Sequence, residues 1–430
     1  MEWTLAILAL TLLGVGAVSR RLSGTPVTPA MVFVAVGLLV GPQVLGEIEL
    51  ASSGGTVRTL AEATLALVLF CDASRIDLGR LRREVGLPGR LLGIGLPLTI
   101  ALGTVAAAAL LGALSIEEAV ILAVVLAPTD AALGQAVVTH PRVPARIRQE
   151  LNVESGLNDG ICVPLLFAAV AVADVESEIS DGRTASTLLV EEIGFGIVGG
   201  VAAGLVVAAV LVHAGRRNLI DDAWRQVIPA AGAALAYGVA AALGGSGFVA
   251  AFVGGATFRM ALKRDPGDDV ELAERVGNML NGVTFVLFGA VLLGPALSEL
   301  SWELALYAVL SLTVVRMLPV ALAMLGTHAR PQTVAFVGWF GPRGLASIVF
   351  AVIVIEESAL PHEHLIVLAI YLTVGLSVLA HGLTAAPLAD RYARWYHGHP
   401  RGRAPAMESA ETDVGRLRGD QGRDRFMPMG

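Results

Sequence analysis

Charge is scarce in this sequence. Only 16% of its 430 residues are Asp, Glu, Lys or Arg, against 55% hydrophobic. A soluble domain carries about a quarter charged residues, and a soluble chain this apolar would expose large adhesive patches. Lysine is almost missing: Lys263 is the only one, and the other basic residues are arginines, a bias that a GC-rich genome accounts for. Cysteine is rare too. Cys71 and Cys162 both sit in apolar runs, with no paired framework, and read as small buried hydrophobes. The net charge of -7 says little about partners, because its distribution matters more than its sum. Several enzyme signatures are absent: no His-Glu-x-x-His, no Gly-x-Ser-x-Gly and no paired-Asp protease pattern. That argues against an intramembrane enzyme, the one reading from another class that the composition permits.

Long apolar runs are what the chain has. Crossing the ~30 Å hydrocarbon core takes about 20 mostly apolar residues. Thirteen segments qualify, at approximately 3–19, 27–45, 57–74, 90–113, 117–139, 149–173, 190–213, 223–243, 246–262, 275–297, 301–325, 332–355 and 362–388. The sixth is interrupted by polar residues, and only Gly244 and Gly245 separate the eighth from the ninth. The first run has no basic stretch before it and no clear cleavage site after it, so it reads as a retained span. The expected fold is an all-α membrane protein.

The loops alternate in charge. Arginines follow the odd-numbered spans: Arg20 and Arg21; Arg75, Arg80, Arg82, Arg83 and Arg90; Arg142, Arg146 and Arg148; Arg216 and Arg217; Lys263 with Arg264; Arg330; Arg391 and Arg394. The other loops are acidic, from Glu47 and Glu49 through Glu117 and Glu118, the 174–181 cluster, Glu299 and Glu303 to Glu356, Glu357 and Glu363, with Arg58 and Arg183 as exceptions. The positive-inside rule then puts the N-terminus outside and the C-terminus in the cytoplasm of a multi-pass cell-membrane protein. Residues 1–390 form the membrane domain, and 391–430, rich in Arg, Gly, Pro and acids, read as a disordered cytoplasmic tail.

Charges at membrane depth cost ~2.5–3.5 kcal/mol or more and need a reason. Span 5 carries Pro128-Thr129-Asp130, where the proline frees a carbonyl. Unwound backbone of this kind suits an ion site, the alternative being a simple kink with Asp130 bonded to neighbouring backbone. Span 6 carries Glu154-Ser155-x-x-Asn158-Asp159. Asp159 lies ten residues in from Gln149, ~15 Å at 1.5 Å per residue, about mid-membrane. Ser155 and Asp159 share a helix face, as do Glu154 and Asn158. In span 12, Gly338-Trp-Phe-Gly-Pro-Arg343-Gly344 breaks the helix around a cation. Two broken spans suit an inverted-repeat transporter of six-helix halves, with Arg343 and Asp130 neutralising the half-helix ends. Arg316 in span 11 must pair, with Glu154 as its natural partner, or else snorkel to the cytoplasmic surface. Asp72, near the end of span 3, either lines an access funnel or sits at the interface. The eight histidines, among them His140, His213, His328 and His381, fall mostly at span ends or in loops and read as interfacial or pH-modulating residues, not as metal ligands.

Four motifs together, "APTDAALGQAVVT", "RIRQELNVESGLNDG", "RMLPVAL" and "GPRGLASIV", with "GLLVGP" at 37–42, resemble the monovalent cation:proton antiporters of the sodium/proton exchanger type over roughly residues 1–390. The resemblance implies a thirteen-span homodimer with a dimerisation part, a six-helix core and spans 5 and 12 crossed. It implies cation and proton binding by Asp159, with Asp130, Ser155 and the Thr129 backbone nearby. Asn158 would hold the crossing and Glu154 would pair with Arg316. An Asn before the Asp implies electroneutral exchange. One departure stands out: many relatives carry Pro after the Thr-Asp, where this chain has Ala131, so the break would rest on Pro128 alone. No nucleotide-binding or regulatory domain is expected after the core.

The expected chemistry is competition at one carboxylate. Burial disfavours the bare charge of Asp159, so it holds either a proton or an alkali ion. Na+ is the first expectation, with K+ and Li+ suiting the same oxygen ligands. No cofactor and no nucleic acid is implied. A rival within transport is an Na+- or H+-coupled symporter of an organic anion, with Arg343 binding the carboxylate.

Overall fold

The computed structural model describes residues 2–22, 25–46, 54–75, 86–173, 185–357, 360–399 and 407–408, and among them every regular element is a helix. In chain order these are α1 (Glu2–Leu22), α2 (Pro29–Val40), α3 (Gly54–Arg75), α4 (Leu87–Leu110), α5 (Ile116–Val125), α6 (Gln135–Val138), α7 (Ala145–Ala173) and α8 (Ala185–Arg216). Then come α9 (Asp222–Ala242), α10 (Gly247–Leu262), α11 (Gly267–Ser298), α12 (Trp302–Ala323), α13 (Pro331–Trp339), α14 (Leu345–Glu357) and α15 (Glu363–His397). Helix occupies each of the thirteen expected segments. Among the described residues, seven helices are long and apolar enough to cross a membrane by length and composition, and α2, α10 and residues Leu345–Ile355 of α14 are shorter and apolar.

Helix starts follow local chemistry. Thr28, Ser246 and Ser301 cap α2, α10 and α12 by accepting a backbone amide two to three residues on. Ser115 and Glu118 form a capping box at α5, and Glu118 also accepts from the backbone and ring of His362 at the start of α15. At the far end of α12, Arg90 donates to the carbonyls of Ala323 (2.6 Å) and Leu325 (2.5 Å), satisfying acceptors the helix leaves open.

Without a hydrophobic drive between helices in lipid, close approach comes from small residues. A side chain at Gly255 of α10 would overlap the carbonyl of Phe70 on α3. Gly204 of α8 lies as close to the carbonyl of Gly254, and Gly37 of α2 to that of Val286 on α11. Two stretches widen into π-turns, Leu91–Gly95 within α4 and Phe288–Leu293 within α11. Such turns are often found at functional positions.

The polar sixth span is one continuous helix, α7, as its shared faces required, with Pro164 inside it. Other expectations change. Span 11 is interrupted: Thr313, at φ -109° and ψ -89°, separates Trp302–Leu312 from Val314–Ala323. The gap in span 5 runs from Leu126 to Gly134, wider than one proline kink. The tail does not begin at 391. Helix α15 continues to His397, and Met407 and Glu408 are buried, with Glu408 accepting from the Arg330 amide (3.0 Å) and the Thr333 hydroxyl (2.6 Å). The remaining tail, 400–406 and 409–430, lies outside the described residues. So do the loop residues Glu47, Glu49, Arg80, Arg82, Arg83 and the 174–181 acids with Arg183. Cys71 and Cys162 are both buried and neither is in a disulfide, as expected.

Candidate functional site

The two gaps in spans 5 and 12 face each other, and their backbone groups are satisfied across the crossing. A peptide group at membrane depth has no water to turn to, so every amide and carbonyl freed by a break must find a protein partner. The Thr129 amide donates to Asn158 Oδ1 (3.3 Å), the Asp130 amide to the Pro342 carbonyl (2.7 Å) and the Ala131 amide to Ser155 Oγ (2.8 Å). Ser155 donates its own hydrogen to the Thr129 carbonyl (2.6 Å), and Asn158 Nδ2 donates to Thr129 Oγ1 (2.8 Å). Ser155 and Asn158 of α7 thus replace helical partners that Thr129 and Ala131 lack, and Pro342 serves Asp130.

The helix ends are neutralised by side chains of the opposite break. The carbonyls beyond the C-terminal end of α5 carry partial negative charge. Arg343, 0% exposed, donates through Nη1 to Ala127 O (2.5 Å) and Pro128 O (3.0 Å) there. Ser347 adds a bond to the Val125 carbonyl (2.8 Å). The N-terminal end of α14 carries the opposite partial charge, and Asp130 Oδ2 accepts from the Leu345 amide (3.1 Å) while Oδ1 accepts from Ala132 (2.8 Å). A Cβ at Gly344 would overlap that carboxylate, so only glycine lets the two breaks come this close.

Behind the crossing, Arg316 and Glu154 pair in two parallel bonds of 2.6 and 2.8 Å, with the residues 4% and 2% exposed. Burial to this degree decides against a snorkelling Arg316. The bidentate fork fixes α12 to α7, and a Cβ at Gly341 would overlap the Arg316 guanidinium, so the pair lies directly against the span-12 break.

Asp159 is buried, one helical turn beyond Ser155 on α7. Asp72 reaches this neighbourhood from α3: a Cβ at Gly156 would stand 3.4 Å from the Asp72 Cβ, three residues before Asp159 on the same face. Phe252 of α10 lays its ring against Gly160, the residue after Asp159. A small, partly open pocket adjoins the crossing, lined by Thr129, Asp130, Ser155 and Pro342 at one end and by Val137, Val138 and Leu151 towards the α6 end.

Two residues of the crossing escape a sequence reading. Ser377 and His381, four apart on α15, are both buried and both bonded to the span-12 break. His381 is therefore in mid-helix, not at a span end. A polar pair at i and i+4 in an apolar run was the available signal.

The sodium/hydrogen exchanger (transmembrane) family profile matches residues 7–391. Among curated proteins, the K(+)/H(+) antiporter NhaP of Alkalimonas amylolytica is 26% identical over 386 residues, 88% of this chain and 63% of that protein. A Na(+)/H(+) antiporter of Schizosaccharomyces pombe is 28% identical over 220 residues, 49% of this chain and 47% of that protein. The chain thus spans less than two thirds of the length of these relatives. Among solved structures, the sodium proton antiporter MjNhaP1 of Methanocaldococcus jannaschii at pH 8 superposes with a TM-score of 0.73 at 18% identity, covering 90% of this chain and 98% of that one. That likeness shows a shared fold. With the profile running almost the whole length of the helical domain, this chain belongs to the sodium/hydrogen exchanger family.

Proposed function

We propose that the protein is a secondary antiporter exchanging a monovalent cation for protons, with Asp159 as the group for which the two compete. The observation that carries this is the crossing itself: two unwound segments at membrane depth, saturated by Ser155, Asn158, Asp130 and Arg343, beside a buried carboxylate one turn away. Hard alkali ions take oxygen ligands, and the neighbourhood offers carboxylate, hydroxyl and freed carbonyl oxygens. Protonation and ion binding each cancel the charge of Asp159, and a rigid-body movement carries either cargo across. No ATP, redox group or other cofactor enters this cycle, and the reading is transport, not catalysis.

The site residues divide into two roles. Asp159 and Ser155, with the Thr129 backbone, form the cation and proton site. Asp130, Asn158, Arg343, Glu154 and Arg316 hold the crossing in shape. Asp130 also stays among the proposed ion ligands, because each of its oxygens accepts one amide and keeps a further lone pair. Asp72 lines the approach to Asp159.

The loop arginines set an N-terminus outside and a C-terminus in the cytoplasm, and in that orientation the α6 end of the pocket beside Asp130 lies on the side of the loop carrying Arg142, Arg146 and Arg148. We read this as the inward-facing access path. A thirteen-span homodimer with electroneutral exchange, through the Asn158–Asp159 pair, completes the reading. Na+ is the first candidate and K+ the second; the relatives above bear both names.

An organic-anion symporter would need Arg343 to face a solute. It is instead buried and committed to the Ala127 and Pro128 carbonyls. The test is dye dequenching in proteoliposomes carrying a proton gradient, with Na+, K+ and Li+ added in turn, with and without a membrane potential. Dequenching by a cation, insensitive to potential, is expected. No response to any of the three between pH 6 and 9 would move the search to organic solutes.

A further inference from the structure

We propose that His381 is a positioning residue of the ion-exchange crossing, holding the two sides of the span-12 break in register through one imidazole ring. The transport part of this inference rests on the cation–proton exchange reading; the structural part does not.

The argument starts from the helix ends. Three of them converge on the breaks and are met by a side chain of the opposite sense. Arg343 serves the C-terminal end of α5, and Asp130 the N-terminal end of α14. The third is the C-terminal end of α13, at Trp339. There His381 Nε2 lies 2.9 Å from the Trp339 carbonyl. A carbonyl only accepts, so Nε2 is the donor. The Gly341 amide also reaches this carbonyl (2.9 Å), so the ring is a second donor to it.

The other edge of the ring reaches across the break. His381 Nδ1 lies 3.2 Å from Ser377 Oγ and 3.0 Å from the Ser377 carbonyl. The same hydroxyl accepts the Arg343 amide at 2.7 Å. A neutral ring carries one hydrogen; placed on Nε2 for the shorter carbonyl contact, it leaves Nδ1 an acceptor only, so the Ser377 carbonyl is a neighbour and not a bond, the serine hydrogen points to Nδ1 and a hydroxyl lone pair is left for Arg343. A relay results: Trp339 carbonyl, His381, Ser377, Arg343 amide. It spans residues 339 to 343, the whole interruption. Arg343 and Asp130 cannot both meet their targets unless this stretch keeps its path. The Trp339 ring lies tilted against the imidazole, centroids 5.0 Å apart, and its Nε1 donates to Thr384 (2.9 Å), so the ring has no room to swing.

A merely structural histidine would matter only for stability. A positioning one predicts a particular pattern. The full-length protein is compared with His381→Ala, His381→Gln, Ser377→Ala, the double variant His381→Ala/Ser377→Ala, and Leu379→Ala, a half-exposed residue of the same helix, as control. Two readouts are taken: amide hydrogen exchange of a peptide covering 340–346, and the apparent KM for the cation with the maximal rate. Exchange of that peptide should quicken by about tenfold in both alanine variants, the effect of losing one buried hydrogen bond. Apparent KM should rise by a similar factor. Because both side chains act through one link, the double variant should match the worse single variant instead of multiplying the two losses. His381→Gln, which keeps a donor, should recover most of the KM.

Unchanged exchange at 340–346 in Ser377→Ala, or multiplied losses in the double variant, would overturn the proposal. So would a fall in thermal stability with KM and the peptide unaffected. If His381→Ala does not fold, Ser377→Ala breaks the same relay with a smaller change and decides alone. A wild-type protein that moves no alkali cation would sink the exchange reading, and the hydrogen-exchange arm would still judge the relay.

Discussion

Glu154 and Arg316 show how much a single residue's role is set by the partner it finds. Two charges taken out of water cost more than they return unless the geometry is good, and removing one of a buried pair leaves the other stranded. Glu154→Gln is therefore expected to destabilise the folded protein by roughly 3–5 kcal/mol, seen as a lowered melting temperature in detergent. Glu154→Leu combined with Arg316→Met should be milder than either single change. Equal or greater loss in the double variant would mean the pair is not what holds α12 to α7. At Gly344 the constraint is space, since any Cβ meets the Asp130 carboxylate. Gly344→Ala should abolish cation-dependent proton movement while the protein still reaches the membrane, a result read by transport in vesicles against surface expression. At this scale the sequence was informative. A charge in an apolar run announces itself, and Glu154, Asp159, Arg316 and Arg343 were all found that way. Ser377 and His381 were not, because uncharged polar groups in a helix have many bland explanations and only their partners across the break reveal their role.

Elements follow different rules. The helices were legible because apolar length is a one-dimensional property. The breaks were legible only in part. Pro128 marks the span-5 break, yet helix α5 ends at Val125, before the proline. The unwound stretch is held by α7 and by residues 342–345, whose hydrogen bonds are long-range and invisible in a local window. The absence of a second proline at Ala131 therefore does not leave the break unsupported. This gives a direct prediction: Pro128→Ala should retain exchange within severalfold, because the amides of residues 129–131 keep their tertiary partners and helix propensity contributes only ~3 kcal/mol at most at that position. Transport measured beside Ser155→Ala, which removes the partners of the Ala131 amide and the Thr129 carbonyl, separates the cases. Loss in Pro128→Ala with retention in Ser155→Ala would contradict the account. The interruption at Thr313 had no proline or glycine to signal it, and nothing in the local sequence distinguishes it from continuous helix.

For the whole molecule, charge parity along the loops gave an orientation, and the cavity beside Asp130 acquires a direction only through it. The last segment of the chain was read from composition alone, which does not register a short docked motif. Met407 packs into the apolar cluster that also contains Val137, Val138, Leu151 and Phe340, and its carbonyl accepts from Arg146 (3.2 Å). Glu408 sits over the start of α13. Truncation after Glu408 is expected to leave thermal stability unchanged, whereas truncation before Met407 should lower it by about 1–3 kcal/mol, the cost of stripping satisfied buried groups of a partner. Equal stability of the two truncations would show that the docked pair adds nothing.

The central claim is that cation and proton compete for Asp159. It is tested most directly by counting protons released when the cation binds the purified protein, from calorimetric titrations in buffers of different ionisation enthalpy. If the two compete for one carboxylate, binding should release up to about one proton per ion, falling as pH rises and the site empties of protons beforehand. Asp159→Asn should bind without proton release or not bind at all. Proton release that persists in a folded Asp159→Asn variant would place the exchanging group elsewhere and contradict the account.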